Sequence, residues 1–350
     1  MKKITSAQFI SLLILSRLFV TMTYTPTGND NPLITIAGGL LSALIQLVLI
    51  APPLILARRF PDKNILTVGY CVSKPVGVLL TAVYGLFFSL SAVKVLCDFS
   101  HFVSFAFPVF SFSTAVILSM AVVCSYIASL GLRPLTRTSV ITLFLFVVML
   151  FIVVLGSHGD IDSTNLTLYS DNTFDRIIRS AYQSLGRGSS LVLACFLLPN
   201  LKSRRAAPLI SFVWLKYAAV SLIVYLYTSI LGSYATTAQL PFFHLSSYSD
   251  TSIIARFDPV FLIVWTMTGI CHLSALIWAL SVCVQYALPK CNRRRLCYIL
   301  SLSVFAVSAL LLWHDLWNYV KRFFVAGTAV ILLTGIIPLV LLLHRKERAK

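Results

Sequence analysis

Acidic side chains are scarce in this chain: eleven Asp and Glu stand among 350 residues, and Glu347 is the only glutamate. Charged residues of both signs make up 11% of the sequence against 58% hydrophobic, where a soluble domain carries about 25% charge. So little charge cannot cover the surface of a water-soluble fold of this length, and that class is excluded. Familiar chemistry is missing as well. No H-E-x-x-H, G-x-S-x-G or G-x-x-x-x-G-K occurs, so zinc peptidase, nucleophile-elbow and phosphate-loop mechanisms lack their scaffolds. The Gly186/Gly188 pair is a lone GxG without a strand before it. The eight cysteines contain no C-x-x-C pair, and Cys291 and Cys297 have no His in register for zinc. They read as small buried hydrophobes. No enzyme, metal or cofactor is expected.

What is abundant is hydrophobicity, with a mean hydropathy of +0.91. A bilayer core about 30 Å thick takes roughly 20 apolar residues per helix. Ten segments qualify: residues 8–24, 33–57, 76–96, 114–130, 139–156, 185–198, 209–232, 259–288, 296–313 and 324–343. No small-residue cleavage site follows the first run, which therefore reads as a span. With the N-terminus placed inside, 19 of the 28 Lys and Arg fall on the cytoplasmic side, 5 outside and 4 within spans. That asymmetry alternates at every loop, and the positive-inside rule then gives ten spans with both termini cytoplasmic. The net charge of +17 is thus topology, and no nucleic-acid partner is expected. The external segment 157–179, with Asp160, Asp162, Asp171 and Asp175, is expected to be only partly ordered.

Charge inside a membrane is costly, so each case is a functional candidate. Arg17 lies halfway along the first span, as an internal lock or a ligand or ion contact. Lys94 and Asp98 can pair one turn apart on the third helix; near a helix end, snorkelling is the first reading for Lys94, and equally for Lys216. Arg256 and Asp258 flank the start of the eighth span, where an acid suits the helix dipole. His272 sits mid-depth in that helix, as an interhelical hydrogen-bonder or a titrating contact. Two stretches look discontinuous: Thr21 to Pro26 at the first span, and Ser184-Leu-Gly186-Arg187-Gly188-Ser189-Ser190 at the sixth. Inverted-repeat transporters break helices at corresponding positions of each half and bind substrate on the freed backbone. Spans one and six are such a pair in a five-plus-five repeat, the first about residues 8–156 and the second about 185–343, within a single membrane domain over 1–350.

Ile4-Thr5-Ser6-Ala7-Gln8 before an apolar helix to Pro26, Gly131-Leu132-Arg133-Pro134-Leu135-Thr136-Arg137, Leu198-Pro199 ahead of Lys202-Ser-Arg204-Arg205, and Arg256-Phe257-Asp258-Pro259 through Phe261-Leu262 to Trp265 resemble, in order and spacing, the B-subunit permeases of spore germinant receptors. These belong to the amino acid–polyamine–organocation superfamily. The resemblance implies an all-α, LeuT-like fold, a nutrient such as an amino acid bound between helices one, three, six and eight, and an A subunit and a lipoprotein C subunit as partners in the spore inner membrane. By position, the pocket would include Thr21, Thr23, Tyr84, Gly188, Ser189, Leu193, Thr268 and His272. Arg17, Arg137, Arg256 and Asp258 would be structural or coupling charges. The chain departs from the family where Phe19 and Thr21 replace glycines, where helix six has no glutamate, and where Arg133 replaces a frequent acid. The leading reading is a ligand-sensing permease subunit; an autonomous ion-coupled amino-acid transporter and a structural partner with a vestigial pocket are the alternatives.

Overall fold

The structure, a computed structural model, describes residues 3–24, 26, 31–61, 63–107, 113–166, 172–202, 205–248, 258–314, 316–317 and 327–347. Arg256 and Asp171 lie outside the described residues. Thr5 starts helix α1 (Ser6–Met22) with a reciprocal cap. Its hydroxyl accepts from the Gln8 amide at 3.3 Å, and its own amide donates to Gln8 Oε1 at 3.1 Å. α1 then runs unbroken to Met22. The hydroxyls of Thr21 and Thr23 donate back to the carbonyls of Arg17 (3.1 Å) and Phe19 (2.9 Å), so the polar stretch finishes the helix and does not interrupt it. The discontinuity expected in the first span therefore falls at its end.

Asn31 caps α2 (Pro32–Leu49), which turns at Ile50 into α3 (Ala51–Arg59). Next come α4 (Ile65–Val72), the 33-residue α5 (Lys74–Ala106), α6 (Ser113–Leu130) and α7 (Leu132–Gly156). Only Gly131 separates α6 from α7, at φ +99° and ψ 179°, a conformation open essentially to glycine alone. The second half comprises α8 (Thr173–Gly186), α9 (Ser189–Leu197), α10 (Ala207–Leu231), the short α11 (Tyr234–Thr237) and α12 (Pro241–Tyr248), α13 (Asp258–Ala287) and α14 (Arg293–Trp313). It ends with α15 (Gly327–Ile331), a π-turn (Leu332–Ile336) and α16 (Ile337–Glu347).

Among the described residues seven helices are long and apolar enough to cross a membrane, and three more, Ser6–Met22, Thr114–Leu130 and Ser189–Asn200, are apolar but shorter. The chain is a multi-pass helical membrane protein. Two thirds of the most apolar window of α13 is buried, against 28% of that of α7, so α13 is central and α7 peripheral. On α7, Phe144, Val147, Phe151 and Leu155 point outward, a face that suits lipid and not water. α1 packs against α7, α9, α10 and α13, and every residue of α9 except Ser189 is buried. At one end the amide of Ile4 donates to Asn200 O and the amide of Lys202 to Ile4 O, both at 2.9 Å, tying the start of α1 to the segment after α9.

α8 departs from the sequence expectation. Its first seven residues, 173–179, belong to the segment expected to be partly ordered, because Asp175, Arg176 and Arg179 dilute its hydropathy. The helix is amphipathic: Ala181 and Leu185 are buried and it packs on α2. The two backbones approach so closely at Gly38 that an added Cβ would lie 2.6 Å from Ser180 Cβ.

Gly131→Ala is expected to lower stability by about 1–3 kcal/mol, read as a lower unfolding midpoint of the purified protein in detergent; an unshifted midpoint would mean the α6–α7 turn relaxes without strain.

Candidate functional site

Between α8 and α9 the helix breaks. The amide of Arg187 still reaches Gln183 O (3.1 Å), but that of Gly188 folds back to Leu185 O (2.8 Å), and the new helix begins with Leu191 N on Gly188 O (2.8 Å). A Cβ at Gly188 would stand 2.6 Å from Leu185 O, so this tight return needs glycine. The carbonyl of Arg187 accepts from Arg17 Nη1 at 3.0 Å. A freed peptide oxygen is thereby matched by a buried guanidinium on α1. Beside the break, the buried Ser190 hydroxyl makes no hydrogen bond among the described residues.

A cavity of about 130 Å³ opens at this break. It is lined by Val20 of α1, by Phe87, Ser91, Lys94 and Asp98 of α5, by Gly186, Arg187 and Ser189 around the break, by His272 of α13 and by Ala329 of α15. Lys94 donates to Asp98 along α5, with 23% and 11% of their side chains exposed. The pairing follows the sequence expectation, yet Lys94 lines an internal cavity and does not simply snorkel. His272 Nδ1 lies 2.7 Å from Ser16 O. A carbonyl only accepts, so Nδ1 carries the hydrogen and Nε2 of the neutral ring is left as an acceptor.

Of the eight pocket candidates, the fold brings Ser189 and His272 into this lining and puts Gly188 at the break itself. Thr21 lines a second, smaller cavity on the other side of Arg187. Thr23 is used at the end of α1, and Thr268 is buried with its hydroxyl on Trp265 O at 2.7 Å. Leu193 is buried in the core. The fully buried Tyr84 donates to Leu333 O at 2.6 Å; that carbonyl lies in the π-turn, where a widened helix leaves an acceptor for a side chain. Of the candidate charges, Arg17 is 5% exposed, Arg137 is exposed on α7 and Asp258 is half-buried in the first turn of α13.

Sequence reasoning had not placed Lys94, Asp98 and Arg187 in a site. Opposite charges one turn apart in an apolar 33-residue helix were the available signal for the first two. Lys216 is also placed differently: it is buried, bonded to Gln46 Oε1, and lines the smaller cavity with Arg17. Snorkelling fails there because α10 packs its Lys216 face against α2. Among the described residues no group of three His, Cys, Asp or Glu is placed to hold a metal ion.

The spore germination protein family matches residues 3–315. The chain belongs to that family. No curated protein matches it. Among solved structures it is similar to a Na+-coupled sialic acid symporter in a substrate-bound outward-open state, with a TM-score of 0.58 and 13% identity, covering 94% of this chain and 77% of that one. It is also similar to MhsT in complex with L-phenylalanine, with a TM-score of 0.53 and 14% identity, covering 95% and 97%. This spore germination protein therefore has a LeuT-like transporter fold.

In it, Tyr84→Phe is expected to leave Leu333 O unsatisfied and to cost about 1–3 kcal/mol of stability, measured as a lower unfolding midpoint in detergent; no change would mean that carbonyl has another donor.

Proposed function

We propose that the chain is the permease subunit of a germinant receptor, which binds a small nutrient at mid-membrane and passes the binding event to an A subunit and a lipoprotein C subunit in the spore inner membrane. In this reading it makes ten passes in a five-plus-five inverted repeat, residues 8–156 and 185–343, with both ends cytoplasmic. The observation that carries the proposal is the coincidence of a helix break, an ion pair and His272 around one cavity. At about 130 Å³ it is close in size to an engineered cavity of about 150 Å³ that binds benzene, which suits a small amino acid. Asp98 and Lys94 offer one partner to an ammonium and one to a carboxylate, and His272 Nε2 and Ser189 add hydrogen-bonding capacity. Gly188 lets the backbone approach the ligand. Thr21, Thr23, Tyr84, Leu193 and Thr268 act by shaping the helices around it, and Arg17, Arg137, Arg256 and Asp258 act as structural or coupling charges.

The neighbours' names support a small organic solute as ligand class: one is a sialic acid symporter and the other was solved with L-phenylalanine. Sensing needs only that the nutrient bind one conformation better than another, since a ligand with equal affinity for both shifts nothing. Transport by this chain alone is a second reading, favoured by a separate cavity of about 690 Å³ near Lys3, Asn200, Trp278 and Tyr286. Uptake of a labelled amino acid into vesicles holding only this chain would select it.

Spores carrying His272→Ala or Asp98→Asn at normal protein level are expected to need at least about tenfold more nutrient for half-maximal germination, a loss of about 1.4 kcal/mol in binding. An unchanged dose-response for both variants would dispose of this pocket. Co-purification of the chain with its A and C subunits from spore membranes tests the partnership separately.

A further inference from the structure

The smaller cavity, about 50 Å³ between α1, α2, α8 and α10, is lined by three basic side chains, Arg17, Arg187 and Lys216. Among the described residues that line it, none is an Asp or Glu. Arg17 repels Arg187, and Lys216 feels the charge of Arg17. Arg17 and Lys216 are 5% and 6% exposed. Their partners among the described residues are neutral. Arg17 donates to a carbonyl, Lys216 donates to the Gln46 amide and lies 5.2 Å from the Phe212 ring, and the Arg187 guanidinium stacks 4.0 Å from the Tyr24 ring. Arg17 Nε, buried in this lining, makes no hydrogen bond among the described residues.

Dipoles and ring faces soften an isolated cation but carry no net charge, and three cations in one low-dielectric pocket need a counter-charge. The geometry points to a binding site for one compact monovalent anion, a halide or a small carboxylate, held by Arg17, Arg187 and Lys216. Size sets the class. A water takes about 10–15 Å³ of such space, so the cavity holds roughly three to five waters, or one small anion with a water, and excludes a nucleotide or a sugar acid. Gln46 completes the site: its Nε2 donates to Ser42 Oγ at 2.9 Å, which directs Oε1 to Lys216 and fixes the ammonium at the cavity wall. Arg187 borders both this cavity and the larger one, so an anion here would steady the helix break from behind.

The test uses the purified full-length protein in detergent, with chloride or acetate replacing gluconate at constant ionic strength. One of the two small anions is expected to raise the unfolding midpoint saturably, by about 2–4 °C for a site filled to tenfold its Kd; chloride alone assigns a halide and acetate alone a carboxylate. Lys216→Met is expected to lose the response, yet to be no less stable than wild type in gluconate, because one of three repelling charges is gone. Gln46→Glu places a fixed negative charge among the cations and is expected to abolish the dependence, leaving the midpoint in gluconate at or above that of wild type in the stabilising anion. Equal midpoints of the wild type in all three salts would overturn the proposal. So would a full anion response in Lys216→Met, which would locate the binding elsewhere. None of these readouts depends on nutrient binding or germination.

Discussion

Arg17 reaches from the middle of α1 to the carbonyl that the broken helix leaves bare at Arg187, and the centre of the molecule is organised around that bond. In lipid, an unpaired peptide oxygen costs several kcal/mol, and an unpaired guanidinium costs more. Each is tolerable here because the other is present. The break needs a donor that does not come from its own helix, and α1 supplies one with a charge attached. That charge then has to be accommodated in turn. Helix break, buried cation and the two cavities on either side of Arg187 are thus parts of one electrostatic problem.

The same economy recurs in the π-turn between α15 and α16, where Tyr84 of α5 donates to Leu333 O. It recurs again on α1, where His272 binds Ser16 O. In each case an irregular or central stretch of backbone is held by a side chain from a different helix. A wall of aromatic rings, with Trp265 stacked on Phe99 and Phe102 at 4.5 and 3.9 Å, fixes α13 against α5. The polar groups of the larger cavity are therefore mounted on helices that packing has already positioned.

Much of this was legible beforehand. Hydropathy and the alternation of Lys and Arg described a multi-pass helical protein, because a bilayer imposes span length and loop charge one segment at a time. Gly186-Arg187-Gly188 marked the break, since a tight return there leaves no room for a Cβ. The hydroxyls at Thr21 and Thr23 misled in detail: the residues that permit an interruption also close a helix end by bonding to carbonyls one turn back. α8 escaped notice because Asp175 and its two arginines lower its hydropathy, whereas its burial comes from a single face laid on α2.

Composition and spacing by themselves determined the class of the molecule, the stretch around Gly186-Arg187-Gly188 as a site of discontinuity and the one-turn pairing of Lys94 with Asp98. These depend on residues close in the chain, whose geometry a helix fixes at once. Which charges share a cavity was decided only by tertiary structure. Arg17 and Arg187 stand 170 positions apart, as do Gln46 and Lys216. No local rule relates the rotation of one helix to that of another; the packing of four helices together turned those side chains toward a common interior.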